Sequence, residues 1–102
     1  MKKSIIAAIL VAMTAGMSAT TASAGAAWVD QREFSQTMRI LNGVADGSLT
    51  RHETRVLLVK QRKIARTERR FLRDGILTRH ERRKLRRMLN RQDKRIWWKR
   101  HN

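Results

Sequence analysis

The segment Asp46-Gly47-Ser48-Leu49-Thr50-Arg51-His52-Glu53 returns, nearly unchanged, as Asp74-Gly75-Ile76-Leu77-Thr78-Arg79-His80-Glu81. The offset is 28 residues, and it also carries Arg55 and Leu57 onto Arg83 and Leu85, so the repeat runs past the octapeptide. A period of this size means one supersecondary unit per copy. Within each copy the glycine suits a left-handed turn after a helix, the leucine enters the core, and the threonine starts the next helix. Thr50 with Glu53, and Thr78 with Glu81, have capping-box spacing: each pair satisfies amide donors that a helix start leaves without partners.

Upstream of the repeat, Lys2-Lys3, the apolar run Ile5 to Met13 and the small-residue site Ala22-Ser23-Ala24 predict a signal peptide over residues 1–24. A second such site, Ala24-Gly25-Ala26, places an alternative cut after Ala26. The run is too short and interrupted to span a bilayer comfortably. No cysteine is present, which excludes lipid attachment at a cysteine and also any disulfide support. The expectation is an exported protein, periplasmic or extracellular, with a flexible leader at 25–29 and a helical domain at 30–102.

Residues 25–102 carry 22 basic side chains against 8 acidic ones, a net charge of +14. Leu, Ile, Val and Phe make up 18 of these 78 residues, so the core is small and the stability marginal. The fold class expected is all-α, a three-helix antiparallel hairpin or bundle, with helices at about 30–45, 50–73 and 78–100. Phe34, Met38, Leu41 and Ala45 give the first helix an apolar stripe. Leu57, Ile64, Phe71 and Leu72 share a stripe with Gln61 and Glu68 on the second. Val56 to Val59 is apolar all round, which predicts that this helix is surrounded, by its two neighbours or by a second copy in a homodimer. On the third helix Leu85, Met88, Leu89, Gln92 and Ile96 face inward.

The rest of the third helix is cationic. Eleven basic residues stand against Glu81 and Asp93 between Arg79 and Arg100. Like charges four apart, as in Arg83-Arg87, Arg87-Arg91 and Arg91-Arg95, oppose helix formation, and an anionic partner would offset them. The expected polyanion-binding residues are Arg79, Arg82, Arg83, Arg86, Arg87, Arg91 and Arg95, whose guanidinium groups suit phosphate and carboxylate. Trp97 and Trp98 are candidate membrane anchors. The partners expected are anionic lipid head groups or polysaccharide, with unfolded protein clients as the alternative. Nucleic acid is disfavoured by export and by the lack of an aromatic stacking series.

No arrangement of nucleophile, base and acid emerges, and a chain this small has little volume for a catalytic pocket, so neither an enzyme nor a cofactor is expected. His52 and His80 stand beside glutamates, but Val56 and Lys84 follow four residues later, which rules out the zinc-protease pattern. Asp-Gly-x-Leu-Thr-x-x-Glu is similar to the second half of an EF-hand calcium loop. That resemblance implies Asp46, Glu53, Asp74 and Glu81 as ligands of a degenerate calcium module. The first half departs from the pattern: Asn42 and Arg70 stand at the opening ligand position, Val44 and Leu72 at the next.

The Leu-Thr-x-x-Glu core also resembles the Leu-Thr-x-x-Gln motif of small periplasmic stress chaperones, which implies client shielding under stress. Glutamate replaces glutamine at its last position here. Over residues 40 to 96 the tandem Gly-x-Leu-Thr-x-x-Glu layout behind a signal peptide more closely resembles a group of small basic exported bacterial proteins.

Overall fold

Two glycines turn the chain back on itself. Gly47 has φ of 78° and Gly75 of 86°, the left-handed region that a side chain would strain. Just before each, an aspartate closes the turn: Asp46 Oδ1 accepts from the Ser48 amide at 2.9 Å, and Asp74 Oδ1 from the Ile76 amide at 3.4 Å. Just after, the threonine hydroxyl accepts from the glutamate amide and the glutamate carboxylate accepts from the threonine amide, in both copies. Both capping boxes are therefore complete.

These signals delimit three helices in a computed structural model that describes residues 26–102. Helix α1 is Ala27–Ala45 and α2 is Arg51–Phe71; a short 3-10 turn, Leu72–Asp74, follows, and α3 is Arg79–Arg100. No strand occurs among the described residues. The expected signal peptide lies outside them. Each helix packs on both others, so the all-α bundle is triangular in section.

The core has two apolar compartments. One joins Ala26, Val29, Ile64, Leu77, Leu85 and Leu89; the other joins Ile40, Leu49, Leu57 and Ile96. Each repeat thus supplies a turn, a leucine plug and a cap, and the two plugs, Leu49 and Leu77, close opposite ends of the bundle. Between the compartments runs a buried polar layer. Gln92 donates to Gln61 Oε1 at 2.9 Å, Gln61 donates to Gln36 Oε1 at 2.9 Å, and Gln36 donates to the Leu89 carbonyl oxygen at 2.8 Å. One glutamine from each helix holds the three in register.

The first helix corrects two expectations. It begins at Ala27, not at Asp30, because Ala26 and Val29 are taken into the core instead of forming a leader. Its inner face is Val29, Gln36, Ile40, Gly43 and Val44, whereas Phe34 is 45% exposed and Ala45 is exposed. The helix is rotated from the apolar stripe because its buried glutamine finds partners on the other two helices. The inner faces of α2 and α3 are largely as expected, with Leu57, Gln61, Ile64 and Glu68 buried on α2 and Leu85, Leu89, Gln92 and Ile96 on α3; Phe71, Leu72 and Met88 are only half-buried, and Thr54 and Thr67 join the buried side of α2. Within one chain the all-round apolar stretch is not enclosed by its two neighbours, however. Three rods packed pairwise leave each helix an outward side, and on α2 that side includes Val59, 57% exposed.

Candidate polyanion-binding surface

Burial of Leu85, Leu89, Gln92 and Ile96 fixes which way every other side chain of α3 points. Arg79, Arg82, Arg83, Arg86, Arg87 and Arg91 are all exposed, while Arg95 is half-buried and donates to Gln92 Oε1 at 3.3 Å. They do not form one flat face. Arg86 leans towards α1, its guanidinium 5.6 Å from the centre of the Trp28 ring. Arg91 and Arg95 turn towards α2 and line an open groove of about 360 Å³.

That groove brings together residues that the helix-three charge run did not reveal. Lys60, Lys63, Arg66 and Arg70 enter from α2, and Lys84, Arg91 and Arg95 from α3, above Ile64, Thr67 and Met88. No carboxylate lines it. At one end Phe71 holds a cation from each wall, with Arg70 at 5.6 Å and Lys84 at 5.9 Å from the ring centre. The signal for the α2 wall was present in the sequence as basic residues at spacings of three and four between Lys60 and Arg70, overshadowed by the denser run downstream.

The positive surface keeps its charge because the acids are engaged elsewhere. All 8 have identifiable work inside the fold. Asp93 takes Arg32, Arg39 and Gln36, and Asp46 takes Arg100 at 2.8 Å. Glu53 and Glu81 cap helices, and Asp74 closes its turn. The remaining three, Asp30, Glu33 and Glu68, face one another between α1 and α2. Among the described residues they are the group able to offer three ligand atoms to a metal ion, all within 4.8 Å of one another.

Protons compete for that acidic cluster. Burial pushes the Glu33 carboxyl up to about 7 and the Glu68 carboxyl up to about 10; bonding to Glu33 and Asp30 adds to the Glu68 shift, whereas bonding to Glu68 and the nearby Arg69 moderates that of Glu33. One buried oxygen of the cluster, Oε2 of Glu33, receives no hydrogen bond from the rest of the described chain. Sequence reading placed Glu68 on the inner stripe but did not foresee this cluster, since Asp30 and Glu33 lie on another helix.

No family model, curated protein or solved structure matches this chain. The likenesses noted from short motifs therefore rest on those motifs.

The residues of the EF-hand likeness have local roles. Asp46 Oδ1 holds the turn and Oδ2 meets Arg100, while Glu53 and Glu81 each bind their threonine amide through Oε1. Hydrogen bonding to Ser48 is the leading cause that holds the Asp46 carboxyl below its ordinary range, and bonding to Thr50 does the same for Glu53. The calcium positions thus coincide with turn and cap contacts. His52 and His80 are exposed in the first turns of α2 and α3.

Trp97 and Trp98 lie beyond Arg95, outside the groove lining, and Trp98 is 63% exposed. Trp97 stacks on His101 at 4.2 Å and meets Trp98 edge-on at 5.1 Å. Arg100, next to them in sequence, points inward to Asp46, Ser48 and the Arg39 carbonyl oxygen. Among the described residues no helix is long and apolar enough to cross a membrane.

Proposed function

We propose that this protein is a non-enzymatic, exported helical module that captures anionic envelope material, lipid head groups or polysaccharide, through the cationic surface of α2 and α3. The observation that carries this reading is the segregation of charge. Each of the 8 acids contributes to a turn, a cap, an ion pair or the acidic cluster, and among the described residues most of the basic side chains of α2 and α3 are exposed, with no carboxylate in the groove between them. Capture proceeds by charge-assisted hydrogen bonds from guanidinium and ammonium groups, with release of counterions from the polyanion.

Export rests on the N-terminal sequence. A cut after Ala24 would retain Ala26, which is 1% exposed in the core, whereas a cut after Ala26 would remove it. N-terminal sequencing of protein recovered from the periplasm or the medium distinguishes the two; recovery of uncut chain only from the cytoplasm removes the export reading.

The test of capture is the salt dependence of binding to acidic polysaccharide and to vesicles of phosphatidylglycerol. Affinity should fall linearly on a logarithmic scale as salt rises. Affinity that stays flat between low and physiological salt, or absence of binding to both probes, overturns the reading.

A chaperone role is the second reading, supported by exposed Val59 beside half-buried Val56 and Leu58. It predicts that the protein suppresses aggregation of an unfolded client and that Val59→Asp abolishes the suppression. No suppression at molar excess removes it.

A further inference from the structure

We infer that the groove between α2 and α3, rather than the outward arginines of α3, is the seat of the ligand, and that its occupant is a single strand of acidic polysaccharide. This rests on the anion-binding reading above and makes it specific.

Three features select the occupant. The first is charge on two sides: Lys63 and Arg66 approach from α2, and Arg91 and Arg95 from α3, over one strip of floor. A concave site walled by one sign of charge concentrates its field, so an anion inside it meets cations on both flanks. A strand can enter between the walls. A lamellar lipid surface gains less from this shape, since it also meets exposed Arg79, Arg82 and Arg83, which do not line the groove.

The second is size. Lys60 and Arg70 mark the extent of the α2 wall and stand ten steps apart, a rise of about 15 Å along the helix. With a volume of about 360 Å³, this is a short open trough with room for a few linked sugars. The third is the floor. Met88, half-buried, gives an apolar surface on which the carbon face of a sugar ring can rest, over buried Ile64 and over Thr67, whose hydroxyl is already bonded to the Lys63 carbonyl oxygen at 2.9 Å. One ring, Phe71, stands at the end of the groove, and Arg70 and Lys84 already lie over it, so there is no series of rings to stack successive nucleobases, the usual contact of single-strand binders.

The experiment compares three full-length proteins: the wild type, a groove variant with Lys63→Gln, Arg66→Gln and Arg91→Gln, and an outer variant with Arg79→Gln, Arg82→Gln and Arg83→Gln. Both variants lose three exposed charges, and circular dichroism verifies that each remains helical. Binding is measured to a sulfated tetrasaccharide, to phosphatidylglycerol vesicles and to a single-stranded oligonucleotide. For the tetrasaccharide, the groove variant should lose about 30-fold in affinity at low salt and its logarithmic salt slope should flatten by about 2, while the outer variant stays within about 3-fold.

Equal losses in the two variants, or a larger loss in the outer one, would show that the groove is not the seat. Tighter, groove-dependent binding of the oligonucleotide would replace the occupant. Wild type that binds vesicles but not the tetrasaccharide would overturn the polysaccharide while leaving anion capture intact. Wild type that binds neither polysaccharide nor vesicles would remove both readings together.

Discussion

Gln92 Nε2 donates to Gln61 Oε1 at 2.9 Å inside the core, and the same nitrogen also reaches the Leu57 carbonyl oxygen at 3.0 Å. This pair ties α3 to α2 by side chain and backbone at once, and Gln61 passes the connection to Gln36 on α1. Gln92→Leu therefore leaves Gln61 Oε1 and an α2 carbonyl without that donor in a dry layer. The expected cost is about 1–3 kcal/mol of unfolding free energy, read by urea denaturation. An unchanged midpoint would mean that water replaces the lost contact and the layer is not dry.

Replacing all three glutamines with leucine tests a different property. The apolar compartments would merge, and stability can be kept or even raised when a whole polar network is removed. What should suffer is register, since alignment would then rest on the part-exposed ion pairs of Asp93 with Arg32 and Arg39 and on the acidic cluster, with no polar contact left in the middle of the core. The measurement is amide NMR dispersion: a single sharp set of peaks in the triple variant would refute the register role.

The acidic cluster sets the direction of a pH effect. Burial raises Glu33 from 4.5 to about 7 and raises Glu68 further, so between pH 4.5 and 7 the folded chain binds more protons than the unfolded one. Stability must fall as pH rises through that window. The thermal midpoint should be higher at pH 5 than at pH 8. Glu68→Gln should raise the pH 8 midpoint and flatten the decline; because both proteins share His52, His80 and His101, the difference between them isolates the carboxyls. A midpoint that climbs from pH 5 to pH 8 in the wild type would contradict this.

Close packing at the first turn gives a steric prediction. A Cβ built on Gly43 would lie 2.6 Å from Leu49 Cδ1 and 2.7 Å from its Cγ. Gly43→Ala must displace the leucine plug, at an expected cost of about 1–3 kcal/mol despite the better helix propensity of alanine. Shortening the plug as well, with Leu49→Ala in the same chain, should recover none of the stability but relieve the clash, so the two substitutions will be less than additive.

The caps offer the simplest check on the repeat. Thr50→Ala and Thr78→Ala each remove a hydroxyl that accepts from a glutamate amide, at 3.0 and 3.1 Å. Each should cost about 1 kcal/mol in chemical denaturation. A negligible effect at one site alone would show that the two copies, though alike in sequence, are unequal in the fold.

The repeated octapeptide determined much of this molecule by local chemistry alone. Glycine at a left-handed turn, threonine and glutamate at a helix start, and leucines at helical spacing need no distant partner to declare themselves, so three helices, two turns and the inner faces of α2 and α3 could be read directly. Tertiary structure decided the rest. The face that α1 buries includes Gln36, a residue whose polarity marks it for the surface until Gln61, Leu89 and Asp93 are brought to it. Phe34, the better apolar signal, is left outside. The cationic groove and the acidic cluster are likewise products of juxtaposition: each draws its members from two helices, and no period along one chain records which side chains meet when those helices pack.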